Sequence, residues 1–298
     1  MKRILVGTDF SAASGRAVQV AAAWAHRSGA ALRVLHVVPP KRWLIGLWRV
    51  DLKTVSAVHR RAGVALKHLA ETLDPSRRIA VSTGLVAGAA SVEIARAARG
   101  FRADLLVIGA RGEHEVRLHE PTLGGTAIKL LSTTSVPLLL VRTAAAAAPS
   151  SILAAVDFSP VSKAVLTWAQ RSVVEEGQVD AFHAYEAPFA ARLDAYGIAK
   201  DSIDLYSDEE HKQRERELDA LIAVIRGAAT VRRIVKGGDP IDRLFEHIRQ
   251  LEPSLIVLGK HASRRGRRPA KWSGSVSRHT AFFAPTNVLI VPPSSARR

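Results

Sequence analysis

The sequence predicts an α/β protein of two tandem doubly wound domains, each a five-stranded, mainly parallel sheet. Two observations carry this prediction. The chain repeats itself in register across a whole half, and within each half short apolar runs alternate with segments of helical periodicity. Alternation of that kind is the mark of a parallel sheet covered on both faces, because parallel strands need crossover helices to connect them.

The repeat is visible residue by residue. Ile4-Leu5-Val6-Gly7-Thr8-Asp9-Phe10-Ser11 returns as Ile152-Leu153-Ala154-Ala155-Val156-Asp157-Phe158-Ser159, an offset of 148, and Ser14 returns as Ser162. Leu105-Leu106-Val107-Ile108-Gly109 matches Leu255-Ile256-Val257-Leu258-Gly259 at an offset of 150, which Gly88 and Gly238, Gly124 and Gly274, and the runs 138–141 and 288–291 also keep. The period is too long for a solenoid and suits a duplicated domain. Thr143 to Ser150 reads Thr, five alanines, Pro and Ser, which places a first domain at 1–143, a linker at 144–150 and a second domain at 151–298.

In the first half the β-rich runs predict strands near 3–8, 31–37, 78–86, 104–109 and 137–142. Helices are expected near 12–28, 51–73, 89–99 and 124–133. The segment 51–73 shows the helical period best, with Leu52, Val55, Val58, Ala62, Ala65, Leu66 and Leu69 on one stripe. In the second half strands are expected near 151–156, 179–185, 229–236, 254–259 and 287–292. Right-handed crossovers then complete two doubly wound units.

Composition narrows the chemistry. The absence of cysteine excludes disulfides, zinc thiolate sites, iron–sulfur clusters and cysteine nucleophiles. The amino terminus begins like a signal peptide, but Asp9 interrupts the apolar run before an h-region forms, and no stretch reaches the roughly 18 apolar residues of a membrane span. A cytoplasmic location is the expectation. The formal charge is +16, with +12 in residues 1–148 and +4 in the remainder. A field of that sign attracts anions, yet no nucleic-acid recognition motif accompanies it, which argues against a dedicated nucleic-acid face.

Ligands of doubly wound sheets bind beyond the carboxyl ends of the strands, where strand order reverses. The residues leaving strands one and four are Asp9 and Gly109 in the first half and Asp157 and Gly259 in the second. Gly109-Ala110-Arg111-Gly112 offers backbone without side chains, and Gly124-Gly125-Thr126 opens a helix whose amino terminus and hydroxyl favour phosphate. The histidines show no metal-binding spacing, and neither a Gly-x-x-x-x-Gly-Lys-Ser/Thr loop nor a Gly-x-Ser-x-Gly elbow occurs. His36 and His183, at the ends of the second strands, read as structural. The run Arg264 to Lys271 could clamp a polyphosphate, touch nucleic acid or stay solvated. Lys41 to Arg49, with Trp43 and Trp48, reads as a short helix over the cleft or over the other domain, with docking on a membrane surface or a partner as the alternative.

These residues resemble the universal stress protein family, once per half. Its nucleotide-binding members carry an Asp ending the first strand and a signature of Gly, two residues, Gly, nine residues, Gly, then Ser or Thr. Asp9, Gly109 and Gly112 match, but eleven residues precede Gly124, and Gly125 stands at the hydroxyl position with Thr126 one place later. In the second half Asp157, Gly259, Gly274 and Ser275 match, while Ala262 replaces the second glycine. The resemblance implies an adenine nucleotide alpha hydrolase-like fold. It also implies binding of ATP or another adenine nucleotide, with Mg accompanying it, and a stress-response role exercised through unidentified protein partners. Two readings stand beside this one, a scaffold with degenerate sites and a weak ATP hydrolase. Single-domain members dimerise through the fifth strand, so the resemblance further implies that 137–142 and 287–292 pair across a pseudo-two-fold axis. The chain would then be a pseudo-dimeric monomer or would form a homodimer.

Overall fold

The computed structural model describes residues 1–40, 52–74, 76–111, 123–186, 196, 198–227, 229–260 and 275–293. The first half runs β1 (Arg3–Thr8), α1 (Ala12–Ser28), β2 (Ala31–Val38), α2 (Leu52–Leu73), β3 (Val81–Ala87), α3 (Ala90–Gly100), β4 (Leu105–Gly109), α4 (Gly125–Thr133) and β5 (Leu138–Val141). The second runs β6 (Ser151–Ala155), α5 (Ser162–Ser172), β7 (Gln178–Tyr185), α6 (Lys200–Ala223), β8 (Thr230–Gly237), α7 (Pro240–Leu251), β9 (Leu255–Gly259), α8 (Ser275–Phe283) and β10 (Asn287–Val291).

All ten strands form one sheet in the order β3-β2-β1-β4-β5-β10-β9-β6-β7-β8. Pairing is parallel within each half and antiparallel where β5 meets β10, with Leu139 opposite Leu289 and Leu140 opposite Val288. The expected contact between the two fifth strands is therefore present, as the central seam of a continuous sheet. Helices α1, α2, α5 and α6 cover one face, and α3, α4, α7 and α8 the other. Covered on both sides, the inner strands β4, β5, β9 and β10 are almost wholly apolar rather than alternating.

Local chemistry sets the element ends. Ser11 caps α1 by accepting from the Ser14 amide, and Gly29 ends it in the left-handed region at φ 64°. Asp239 caps α7 by accepting from the Ile241 and Asp242 amides, with Pro240 in the first turn. Strand β3 starts at Val81 rather than 78, because Asp74 draws the Ile79 amide into a turn that passes through Arg77 at φ 52°.

Polar side chains tie the halves together at the seam. Asn287, fully buried, accepts from the Arg142 and Thr143 amides and donates to Thr143 Oγ1 and the Ser254 carbonyl. Arg142 donates to the carbonyls of Ala281 and Thr286 at the end of α8, while Lys260 Nζ donates to those of Ser132 and Thr134 at the end of α4. Each half thus supplies a cation to the carboxyl end of a helix in the other, where the dipole favours positive charge. Burial pulls the Arg142 guanidinium down to about 10, helped by the nearby charge of Arg111. Within the linker, residues 144–147 form a 3-10 turn. Their small side chains let it tuck under α1, where Trp24 Nε1 donates to the Ala146 carbonyl at 2.6 Å.

Candidate functional site

The turn after the first strand is built the same way in both halves. The Asp9 amide donates to Ser14 Oγ, and the Asp157 amide to Ser162 Oγ, each at 3.3 Å. Asp9 Oδ1 accepts from the Ser11 amide and hydroxyl, and Asp157 Oδ1 from the Ser159 amide and the Ser162 hydroxyl. Between them sits a phenylalanine in the left-handed region, Phe10 at φ 63° and Phe158 at φ 58°. That conformation is unfavourable for a bulky side chain and persists only where its surroundings hold it. Here the support is a histidine of the second strand: His36 lies 4.5 Å from Phe10 and His183 4.2 Å from Phe158, ring centre to ring centre. Each histidine also donates Nδ1–H to a main-chain carbonyl, Thr8 and Val156 respectively. Burial pushes the His183 imidazole below its ordinary range. The two histidines are fixtures of the turn that presents the aspartate.

Beyond the carboxyl ends of β1 and β4, where the strand order reverses, opens a cavity of about 470 Å3. Asp9, Gly109, Gly124, Gly125 and Thr126 all line it. Leu35, Val37, Ala90, Ile94 and Ile108 give it an apolar flank, and Arg111 and Lys129 supply cations. Helix α4 begins on Gly124, in extended conformation with no side-chain cap, so its first turn borders the cavity directly. A second cavity, of about 410 Å3, occupies the equivalent place and brings together Asp157, Gly259 and Ser275 with Phe182, Leu244, Leu258 and Ser277. Gly112, Gly274 and Ala262 lie outside the described residues, as do the tryptophan segment 41–49 and the basic run 264–271.

Two features depart from the sequence reading. The bare face of Gly109 is turned toward protein: a Cβ there would stand 3.0 Å from the Ala13 carbonyl carbon and 3.1 Å from its oxygen. At Gly259 a Cβ would meet Val161 Cγ1 at 2.4 Å. Both glycines let the strand end pack against the start of α1 and of α5, and valine at either position would damage that packing before it tested binding. The second departure is Lys129, which sequence reasoning passed over. It lies four residues after Gly125 and so on the same side of α4, a spacing that could have identified it. Its counterpart in the second half is His279, packed 5.1 Å from Phe245 and 4.6 Å from Phe283, and no Lys or Arg occurs among the described residues lining the second cavity.

Fold and site together define a tandem pair of doubly wound α/β units, each with a cleft at its switch point. The chain belongs to the Universal stress protein family, whose model matches residues 1–142 and again 150–292. It is 27% identical over 304 aligned residues to a universal stress protein of Mycolicibacterium smegmatis, covering 97% of both chains. Among solved structures it is similar to a universal stress protein from Archaeoglobus fulgidus, with a TM-score of 0.69 and 18% identity over 98% of each chain. It is also similar to a functionally unknown protein from Pseudomonas aeruginosa, with a TM-score of 0.65 and 17% identity over 98% of this chain and 93% of that one. At these identities the structural likeness is one of fold. No described helix is long and apolar enough to cross a membrane.

Proposed function

We propose that this chain binds ATP or a related adenine nucleotide in the cavity of its first half and serves stress adaptation by engaging protein partners. In this reading residues 1–143 form the principal binding unit and residues 151–298, joined through 144–150, a second and weaker one. The observation that carries it is the polarity of the first cavity. A carboxylate, Asp9, stands at the end of β1, an apolar wall runs along Leu35, Val37 and Ile94, and Arg111, Lys129 and the first turn of α4 border the same space. A nucleotide has the matching distribution of ribose hydroxyls, apolar base and phosphate charge. The volume falls within the range of small-molecule sites. The second cavity keeps Asp157, Ser275 and a wall made bulkier by Phe182, but its described lining holds no cation to meet phosphate.

Titration calorimetry with ATP and with adenosine tests this directly. Arg111→Ala and Lys129→Ala are each expected to weaken ATP binding about tenfold, the value of one charge-assisted hydrogen bond, while changing adenosine binding little. Full ATP affinity in the double variant would remove the first cavity as the phosphate site.

Among the described residues no group of three or more His, Asp and Glu side chains could hold a metal ion, so Mg would enter on the phosphates of the nucleotide. Asp9 already accepts two hydrogen bonds from Ser11, which also caps α1. We therefore infer retention of the nucleotide without substantial hydrolysis. ATP incubated with purified protein and resolved by ion-exchange chromatography should remain intact. Turnover that disappears in Asp9→Asn would establish the weak hydrolase instead.

A further inference from the structure

The two helices at the outer ends of the sheet carry opposite charge. Helix α2, packed beside β2 and β3, contains four Lys and Arg and one Glu; α6, its counterpart beside β7 and β8, contains eight Asp and Glu and four Lys and Arg. The exposed stripe of α2 presents Arg60, Arg61, Lys67 and His68 around Val64, which is 71% exposed. That of α6 presents Asp201, Asp204, Asp208 and Glu209 around Leu205, which is 65% exposed. Both stripes follow the i, i+4, i+7 spacing of one helix face and extend about 12 Å.

Ion pairing within the chain leaves these groups over. Glu210, Glu215, Glu217 and Asp219, nearer the carboxyl end of α6, are taken by Arg214 and Arg233. Glu209 reaches only its neighbour Lys212, at 3.6 Å. Asp201, Asp204 and Asp208 make no salt bridge with any described residue, and neither do Arg60, Arg61 and Lys67. A favourable helix dipole accounts for Asp201 in the first turn but not for Asp208, two turns in. Nor can the two faces neutralise each other, since β3 and β8 are the opposite edges of a ten-stranded sheet, about 43 Å apart at ordinary strand spacing. That is several Debye lengths.

We propose that copies of this chain associate with each other, the basic face of α2 on one copy seating against the acidic face of α6 on another. Val64 and Leu205 form the desolvated centre, and the charges form the surrounding rim. Both helices lie on the same face of the sheet and at opposite ends of it, and Val64 lies across α2 from Ala62, Leu66 and Leu73, which pack on the sheet, so its stripe points outward where another copy can seat on it. Each contact joins two different surfaces of the chain, so charge reversal of either breaks it and the complementary pair of reversals restores it. A single helix pair is small, so the association is weak and sensitive to salt.

Sedimentation velocity of the full chain tests the proposal. The weight-average mass should rise with protein concentration at about 50 mM salt and return to that of a single chain at about 500 mM, where screening is nearly complete at contact distances. Reversing one face, by Arg60→Glu with Arg61→Glu and Lys67→Glu, should abolish the rise, as should Asp204→Lys with Asp208→Lys and Glu209→Lys. An equimolar mixture of the two variants should associate again, because each restores the partner that the other lost. Circular dichroism melts of the variants check that the surface changes leave the fold intact. A wild-type chain that stays single at low salt and high concentration overturns the proposal. Association that survives either reversal, or a mixture that does not recover it, overturns it equally.

Discussion

Leu139→Asp should separate the two halves and leave residues 143–150 open to protease. Leu139 and Leu289 face each other across the antiparallel seam and neither has any exposed surface. Both lie in the layer that also holds Trp24 of α1, Val165 of α5 and Ala146 of the connecting turn. Truncation to alanine would cost about 3 kcal/mol by loss of burial and creation of a cavity. Aspartate adds the desolvation of a charge with no partner, so the loss should exceed about 5 kcal/mol. Because the turn at Ala144–Ala147 is held by the same packing, its peptide bonds become accessible when the seam opens. Limited proteolysis followed by mass spectrometry should show two fragments cut near residue 145, where the wild-type chain resists. Urea denaturation should show two separate transitions. Leu139→Met, which conserves volume, should behave as wild type. A single cooperative transition at unchanged urea concentration in Leu139→Asp would mean that the seam contributes little to holding the halves together.

The apolar runs of the seam were legible in the sequence because their signal is local, whereas their pairing with each other was implied by the family resemblance. An uninterrupted apolar run ending each copy of a repeat needs cover on both faces and a neighbour at its edge. The paired aspartates were legible for the same reason, since the repeat carries Asp9 onto Asp157 together with the serines that hold them. What the repeat could not convey was direction. Gly109 and Gly259 stand where a ligand loop was expected to need bare backbone, yet the space they leave is filled by Ala13 and Val161. Sequence position fixed the loop; the side of the loop on which a Cβ would fall depended on how α1 and α5 settled on the sheet. Contacts between the halves were hidden further still. Arg142 and the end of α8 are separated by about 140 residues, and nothing in either segment advertises the other. The packing of the linker was hidden for a related reason, as alanine carries no pattern of its own and the turn at 144–147 is held by Trp24 and Arg27 of α1.

Asp180→Asn should destabilise the protein by about 2 kcal/mol near neutral pH, and the difference from wild type should fade as the solution is acidified. Asp180 is a carboxylate in the middle of β7 with a side chain 1% exposed, a position where the first half has Arg33. It accepts from Arg232 Nε and Nη2 on β8, from Gln178 Nε2 on its own strand, and from His247 Nε2 on α7. Burial alone would raise its pKa, but the hydrogen bonds from His247, Arg232 and Gln178 outweigh it and hold the group at about 2, against an ordinary value of 3.8. A carboxyl group depressed on folding stabilises the native state fully above its unfolded pKa and loses that contribution as pH falls toward the folded value. The window therefore lies between about pH 4 and pH 2, and the difference in pKa corresponds to about 2 kcal/mol. Arg232 is half exposed, so water takes over part of its pairing when the carboxylate is lost and keeps the figure from rising to that of a fully buried pair. His247 has no such recourse. Its Nδ1 is buried without a hydrogen-bond partner and its ring stacks on Phe182, 5.4 Å away, which lines the second cavity. The substitution should consequently loosen the wall of that cavity as well as the fold. Urea unfolding followed by fluorescence at pH 6 and at pH 2.5 measures the first effect, and a gap between the two proteins that stays constant across this range would show that the carboxylate is not what the network stabilises.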